Sequence, residues 1–410
     1  MSRILKNIFL LGIFSVAALR ALVRGFGDAP GAPTTTQPDR KGERRNIKRA
    51  AWTIAAFLIV VGLGGALTVV GGLAPIKASS GHWPITAAFL NFTMRRSVIV
   101  HSLGTETPPL DDRALVLKGA GHYEIGCSPC HGSPALRQPL IALAMTPHPP
   151  ELSKEIPKWR ARELFYIVKH GVKFTGMPAW PAQERDDEVW AMVAFLRALP
   201  KLSADEYRRL IRDDAGASGG MSPPSSSDVS RLVNDNCSKC HGIDGEGRNS
   251  SAFPKIAGQK PNYFYLSMQA YARGQRNSGI MEPIAAPLSD DTMRDLARYF
   301  AERKPQASSR RSTQDAAAVA RGKRIAEQGI PNQRVPVCAE CHGPGAEPRN
   351  PNYPELAGQY ADYLVLQLTL FKNQQRGGTA NAHLMRRVAP GLTAEQMKDV
   401  ASYYESLPAR

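Results

Sequence analysis

At 410 residues, with 43% hydrophobic and 21% charged side chains, the chain has room for two to four domains. Its net charge of +16 suggests a nucleic-acid partner, but the distribution excludes one. Residues 1–50 hold ten Lys/Arg against three Asp/Glu, and the remaining basic residues are scattered without the clustered stripe that phosphate tracking needs, so they read as a solvated surface that steers toward an acidic partner.

The first apolar stretch, Ile8 to Leu19, is twelve residues long and reads as a signal-like core, an interfacial helix or part of an over-long start. The second, 51–76, has 26 uncharged residues, more than the ~20 that span a bilayer. It also exceeds the roughly 7–15 residues of a signal-peptide core. Arg40, Lys41, Arg44, Arg45, Lys48 and Arg49 precede it. Positive-inside bias then predicts a single-pass inner-membrane anchor, with the basic segment 1–50 cytoplasmic and everything from residue 77 in the periplasm. A juxtamembrane segment, 77–111, comes next. Within it Trp83, Phe89, Leu90, Phe92 and Met94 precede Arg95 and Arg96. This is either an amphipathic helix at the outer membrane interface or a linker helix packed on the next domain.

All six cysteines fall in three Cys-x-x-Cys-His motifs: Cys127-Ser-Pro-Cys130-His131, Cys237-Ser-Lys-Cys240-His241 and Cys338-Ala-Glu-Cys341-His342. This spacing is the signature of c-type haem attachment. Each thiol adds to one porphyrin vinyl group, and the adjacent histidine places an imidazole against the iron. A zinc site needs four ligands in one place, and these motifs lie about 100 residues apart. No cysteine is left for a disulfide. The expected cofactors are three covalently bound haem c groups, and their assembly outside the cytoplasm implies export.

The motifs divide the exported part into domain one (112–201), a linker (202–227), domain two (228–303), a connector (304–315) and domain three (316–407). The run Ala215 to Ser227, rich in Gly, Ser and Pro, cannot build a core and reads as flexible. Domains two and three repeat each other. Pro254-Lys-Ile-Ala-Gly-Gln259 matches Pro354-Glu-Leu-Ala-Gly-Gln359, and Tyr263, Leu266 and Arg276 recur as Tyr363, Leu366 and Arg376. Each repeat closes on a helix with an N-cap, Ser289 in one and Thr393 in the other. No useful length of the chain alternates with strand period, so the predicted fold class is all-α.

The distal ligand decides between electron transfer and chemistry at an open iron, because a doubly capped iron has no vacant site. In domain one, Met192 lies inside the last helix, where methionine is core filler, and Met145 is only 14 residues past His131. Met177, in a Gly-Met-Pro loop 46 residues past His131, is the predicted ligand. In domain two Met268 aligns with Leu368, while Met293 aligns with Met397 inside the terminal helix; Met281 aligns with Met385 in a loop. Met281 and Met385 are therefore the other predicted ligands. His383 is the rival to Met385, and His170 near Met177 reads as structural.

Together these features resemble class I cytochromes c. Domains two and three resemble the bacterial two-haem (c-four) group through the paired Pro-x-x-Ala-Gly-Gln segments, the Arg-to-Met loops and the Leu-Ser/Thr helix starts. Domain one resembles the single-haem modules fused to membrane redox complexes through Thr175-Gly-Met-Pro-Ala-Trp180. The resemblance covers about 112–407. It implies an N-terminal helix crossed by a C-terminal helix in each domain, and a proline carbonyl that orients the haem histidine. Pro254 and Pro354 match that position; in domain one either Pro149 or Pro150 does. Domain two departs from the pattern, because it lacks the glycine that stands at Gly119 and Gly322 in its neighbours.

The expected function is electron transfer between a membrane quinol-oxidising complex or dehydrogenase and a terminal oxidase or soluble cytochrome. The alternative is the cytochrome subunit of a periplasmic alcohol, aldehyde or sugar-acid dehydrogenase. A peroxidase or gas sensor would need a five-coordinate iron. Domains two and three should form one rigid unit, and domain one should swing on its linker.

Overall fold

The computed structural model describes residues 40–73, 76–212, 228–305, 315–344 and 349–409. The Ile8–Leu19 stretch, the 215–227 linker and most of the 304–315 connector lie outside them. The chain divides into two units, 1–76 and 77–410.

In the first unit helix α1 spans Arg40–Val70. Its stretch Arg44–Val70 is long and apolar enough to cross a membrane, by length and composition. The basic residues Arg44, Arg45, Lys48 and Arg49 belong to the same helix. The helix stops at Val70 rather than running to Ile76. The cause is Gly71–Gly72: Gly72 takes a φ of +65°, the left-handed conformation that ends helices.

The second unit is helical; among its described residues the only β pairing is two isolated bridges. Helix α2 (Pro84–His101) is exposed on every side from Pro84 to Thr93. Its second half packs on residues 159–166: Val98 is buried, the Arg95 guanidinium lies 4.4 Å over the Trp159 ring, and His101 stacks 5.8 Å from Tyr166.

Three bundles make up the rest. The first comprises α3 (Arg113–Gly126), α4 (Ala161–His170), α5 (Asp186–Ala198) and α6 (Ala204–Ile211). The second comprises α7 (Asp228–Leu232), α8 (Pro261–Ala272) and α9 (Asp290–Ala301). The third comprises α10 (Ala316–Gln328), α11 (Ala361–Lys372) and α12 (Ala394–Ser406). Ser289 and Thr393 cap α9 and α12 as the sequence predicts, each accepting at 3.2 Å from the amide three residues on.

In the outer bundles the first helix crosses the last at a glycine. A Cβ on Gly119 would stand 2.3 Å from the Ala191 carbonyl oxygen, and one on Gly322 would stand 2.0 Å from that of Asp399. Only a residue without a side chain allows that approach. The second bundle reaches its terminal helix differently. Its α7 is one short turn that continues as a π-turn, Val233–Cys237. There Val233, fully buried, packs on Leu296 and Phe300.

Residues 202–212, expected to be linker, belong to the first bundle. Ser203 and Glu206 form a reciprocal capping box that starts α6. Tyr207, fully buried, then packs on Tyr123 and Phe195 and donates its hydroxyl hydrogen to Glu124 at 2.5 Å. Burying that ring is what holds the segment down.

The expected swing of the first bundle is also not what the structure holds. Glu188, on α5, is 2% exposed. Its carboxylate accepts from the Ser278 hydroxyl and the Gly279 amide, each at 2.7 Å, in the second bundle. Arg185 donates to the Asn277 carbonyl at 2.7 Å, and Ile280 packs into the first bundle's core. On another side, Arg248 donates to the Leu210 carbonyl at 2.7 Å, and a Cβ on Gly121 would stand 2.8 Å from Cys240 Sγ. Linker composition speaks only of the linker; these buried polar bonds hold the bundles together whatever the linker does.

The repeated Gly-Gln segments meet across the second and third bundles. The Gln259 side chain accepts from the Glu355 amide at 2.8 Å and donates to its carbonyl at 3.1 Å. Gln359 does the same to Lys255, at 3.0 and 2.9 Å. Arg276 donates to the Tyr363 hydroxyl at 3.3 Å, and Arg376 to that of Tyr263 at 3.0 Å. The interface is thus self-complementary because the two sequences are copies.

Candidate functional site

Each Cys-x-x-Cys-His motif forms one helical turn: Ser128–His131, Ser238–His241 and Cys338–His342. A turn brings both thiols and the imidazole to one side of the backbone. The six thiols are free of disulfides. Burial pushes Cys127 and Cys240 up to about 12, and Cys237 and Cys338 to about 11, so they stand as neutral thiols and not as reactive thiolates.

Each histidine is held from behind. His131 Nδ1 lies 3.0 Å from the Pro150 carbonyl oxygen, His241 Nδ1 lies 3.1 Å from that of Pro254, and His342 Nδ1 lies 3.1 Å from that of Pro354. In the first bundle the partner is therefore Pro150; the Pro149 carbonyl accepts instead from Gln138 at 2.8 Å. With Nδ1 donating to a carbonyl, Nε2 carries the lone pair a metal needs. Burial lowers all three imidazole pKa values, His342 to about 4, which keeps them neutral at ordinary pH.

One continuous cavity of about 2960 Å³ is lined by His131, His241 and His342 together with Met177, Met281 and Met385. That is about three times the upper end of the ~300–1,000 Å³ of an ordinary ligand pocket. Met177 sits in a loop shaped by Gly171, whose φ is +64°, and closed by the Val172 amide donating to the Met177 carbonyl at 3.2 Å. Met145 reaches the same loop: its Cε lies 2.2 Å from where a Cβ on Gly176 would stand. Fourteen residues after the histidine is therefore enough to bring Met145 against the Met177 loop. Met281 and Met385, expected in loops, stand in short helices instead: Met281 opens Met281–Ala285 and Met385 lies in Ala382–Val388. His383 is exposed, bonded to the Ala380 carbonyl, and off the cavity wall. Met192 and Met293 are buried in their terminal helices.

The cavity also carries unbalanced positive charge. Arg276 is buried against three tyrosines, Tyr263, Tyr271 and Tyr363. Burial alone would raise the Tyr263 hydroxyl, but Arg276 and Arg376 outweigh it and pull it down to about 8. Buried cations facing a cavity suit a ligand that carries carboxylates, as haem does with its propionates. The donor set, the carbonyl-held imidazoles and the cavity all fit covalently attached haem c. Sequence reading did not single out Glu188, whose partners in the second bundle lie about 90 residues away in the chain.

Comparison with known proteins agrees with this chemistry. Residues 114–196 match the family described as cytochrome c oxidase, cbb3-type, subunit III, and residues 226–304 and 319–408 match the family cytochrome c. The chain is similar to cytochrome c-552 of Acidithiobacillus ferridurans, 38% identical over 43% of this chain and 75% of that one. It is 34% identical to the thiosulfate dehydrogenase electron acceptor of Thiomonas intermedia, over 47% of this chain and 85% of that one. With cytochrome c4 of Pseudomonas aeruginosa it shares 33% identity over 42% of this chain and 83% of the relative.

Proposed function

The chain belongs to the cytochrome c family, with cytochrome c4-like segments, and on that premise we propose that it is a tri-haem electron carrier anchored in the inner membrane. Haem c is held at Cys127/Cys130, Cys237/Cys240 and Cys338/Cys341, with His131, His241 and His342 as proximal ligands and Met177, Met281 and Met385 as distal ones. The observation that carries this reading is the repeated constellation: three motif histidines, each backed by a prolyl carbonyl, lining one cavity with Met177, Met281 and Met385.

When bound, the haem iron supplies a one-electron couple. The chain's residues do the rest. The cysteines fix the group in the fold, and the prolyl carbonyls set the imidazole tautomer. Met177, Met281 and Met385 would each offer a thioether to the iron and keep water and peroxide off it. Buried Arg276 and half-buried Arg376 balance negative charge.

The donor is a quinol-oxidising complex or a dehydrogenase, and the acceptor a terminal oxidase or soluble cytochrome. Relatives named as thiosulfate dehydrogenase electron acceptors favour a dehydrogenase donor over the quinol route. Stopped-flow mixing distinguishes them. The purified protein is expected to be reduced by its donor fraction and reoxidised by an oxidase, more slowly as salt rises. Turnover of peroxide or a small alcohol by the isolated chain would overturn the carrier reading.

The anchor makes its own prediction. A reporter fused after Arg49 should behave as cytoplasmic, and one fused after His101 as periplasmic, because the basic residues precede the apolar stretch. The opposite pattern rejects the topology.

A further inference from the structure

Glu188 is a buried carboxylate placed between two methionine loops. Toward the second bundle, Oε1 accepts from the Ser278 hydroxyl and Oε2 from the Gly279 amide, both at 2.7 Å. Toward its own bundle, Oε2 accepts from Trp180 Nε1 at 3.2 Å, three residues past Met177. Arg185 Nη2 lies 2.9 Å from Oε1, and the same guanidinium donates to Asp187 at 2.7 and 2.9 Å. The Ser278 oxygen that donates to Glu188 accepts in turn from the Met281 amide at 3.1 Å. Two hydrogen bonds thus connect a side chain of the first bundle to the backbone of Met281. The approach is close: a Cβ on Gly279 would stand 2.1 Å from Trp180 Nε1.

We propose that Glu188 is a positioning residue for a site outside its own bundle, its carboxylate holding the Asn277–Met281 loop so that the sulfur of Met281 is fixed by the first bundle. The inference rests on the reading of Met281 as distal ligand. A buried carboxylate with three donors and one guanidinium has its lone pairs used, so it is rigid. Removing it strands the Gly279 amide without an acceptor and frees the Ser278 hydroxyl to rotate, and both changes loosen the loop. The link to the second bundle has two bonds and that to Trp180 one. The effect is therefore larger at Met281 than at Met177.

The test uses the full-length, haem-loaded protein and reads the weak sulfur-to-iron absorption band, carbon monoxide uptake and the individual midpoint potentials. Met281→Ala should abolish the band of one iron and open it to carbon monoxide. Glu188→Ala should weaken the same band, admit carbon monoxide at the same iron and lower its potential, leaving the third bundle's iron unchanged. Glu188→Gln, whose amide oxygen keeps an acceptor for Gly279 and Trp180 while its nitrogen faces Ser278 and Arg185, should restore part of the signal. The double variant Glu188→Ala/Met281→Ala should match Met281→Ala at that iron, since a residue acting through Met281 has nothing left to position. Ser278→Ala cuts the link while leaving the carboxylate in place, and reads it where Glu188→Ala fails to fold. An unchanged spectrum in Met281→Ala rejects the ligand assignment and this inference together. If Met281→Ala opens the iron but Ser278→Ala and Glu188→Ala behave as wild type, or the double variant is additive, the positioning role alone is rejected.

Discussion

Replacing Cys237 and Cys240 together by serine is expected to leave a chain with two haems and an unfolded second bundle. Cys240 is buried beside Gly121, and Cys237 packs with the Val233, Leu296 and Phe300 cluster, so a group attached to both would fill the centre of that bundle. Left unfilled, that bundle's share of the cavity would expose its apolar lining to water and forfeit the packing contacts the group makes. A domain has only about 5–15 kcal/mol of stability, so the bundle cannot survive as an empty shell. The loss should spread, because Glu188 and the Gln259–Gln359 pair dock both neighbours on this bundle. The matching Cys338→Ser/Cys341→Ser variant should lose one haem and leave the first two bundles folded, because Glu188 docks those two on each other without the third. Pyridine haemochrome content and limited proteolysis measure both. Three haems retained in the first variant, or haem extractable by acid acetone from the wild type, would defeat the covalent tri-haem assignment.

Gly322→Val should be the most damaging single change outside the haem motifs. The new Cβ would stand 2.0 Å from the Asp399 carbonyl oxygen and 2.9 Å from the Tyr403 Cβ, and backbone cannot swing aside as a side-chain tip can. The helices must part, which separates Arg321 from Asp399, now bonded at 2.7 and 2.8 Å. Overpacking of this kind costs about 3 kcal/mol or more. For a domain of roughly 90 residues that lowers Tm by about 12–24 °C. Ala320→Val, on the exposed side of the same helix, is the control and should cost less than about 1 kcal/mol. Heating followed at the haem absorption of the third bundle reads the difference. Equal melting of the two variants would mean that α10 and α12 do not cross where the structure puts them.

The haem motifs were legible because their chemistry sits in five consecutive residues, and a helical turn is enough to present it. The repeat was legible as well, and it carried more than expected: the paired glutamines that marked family resemblance turn out to exchange hydrogen bonds between the copies. The α6 helix was missed although Ser203-Ala-Asp-Glu206 is a capping-box signal; its Tyr207 reads as polar surface until the Glu124 carboxylate is seen beside it. Glu188 was missed for a different reason. After Asp186 and Asp187 it looks like one more acid complementing the first turn of a helix, and nothing local marks a carboxylate that will be buried.

What the sequence by itself determined is the helical class, the haem motifs, the membrane-length apolar stretch and the helix caps. Each depends on residues within a few positions of one another, so local geometry suffices. The tertiary structure decided which of two adjacent prolines backs His131, that Met145 reaches the Met177 loop, and that residues 202–212 complete the first bundle. It also decided that the first bundle is docked on the second. These outcomes depend on pairs separated by up to about 90 residues, whose meeting is set by which surfaces can bury a ring or satisfy a carboxylate together.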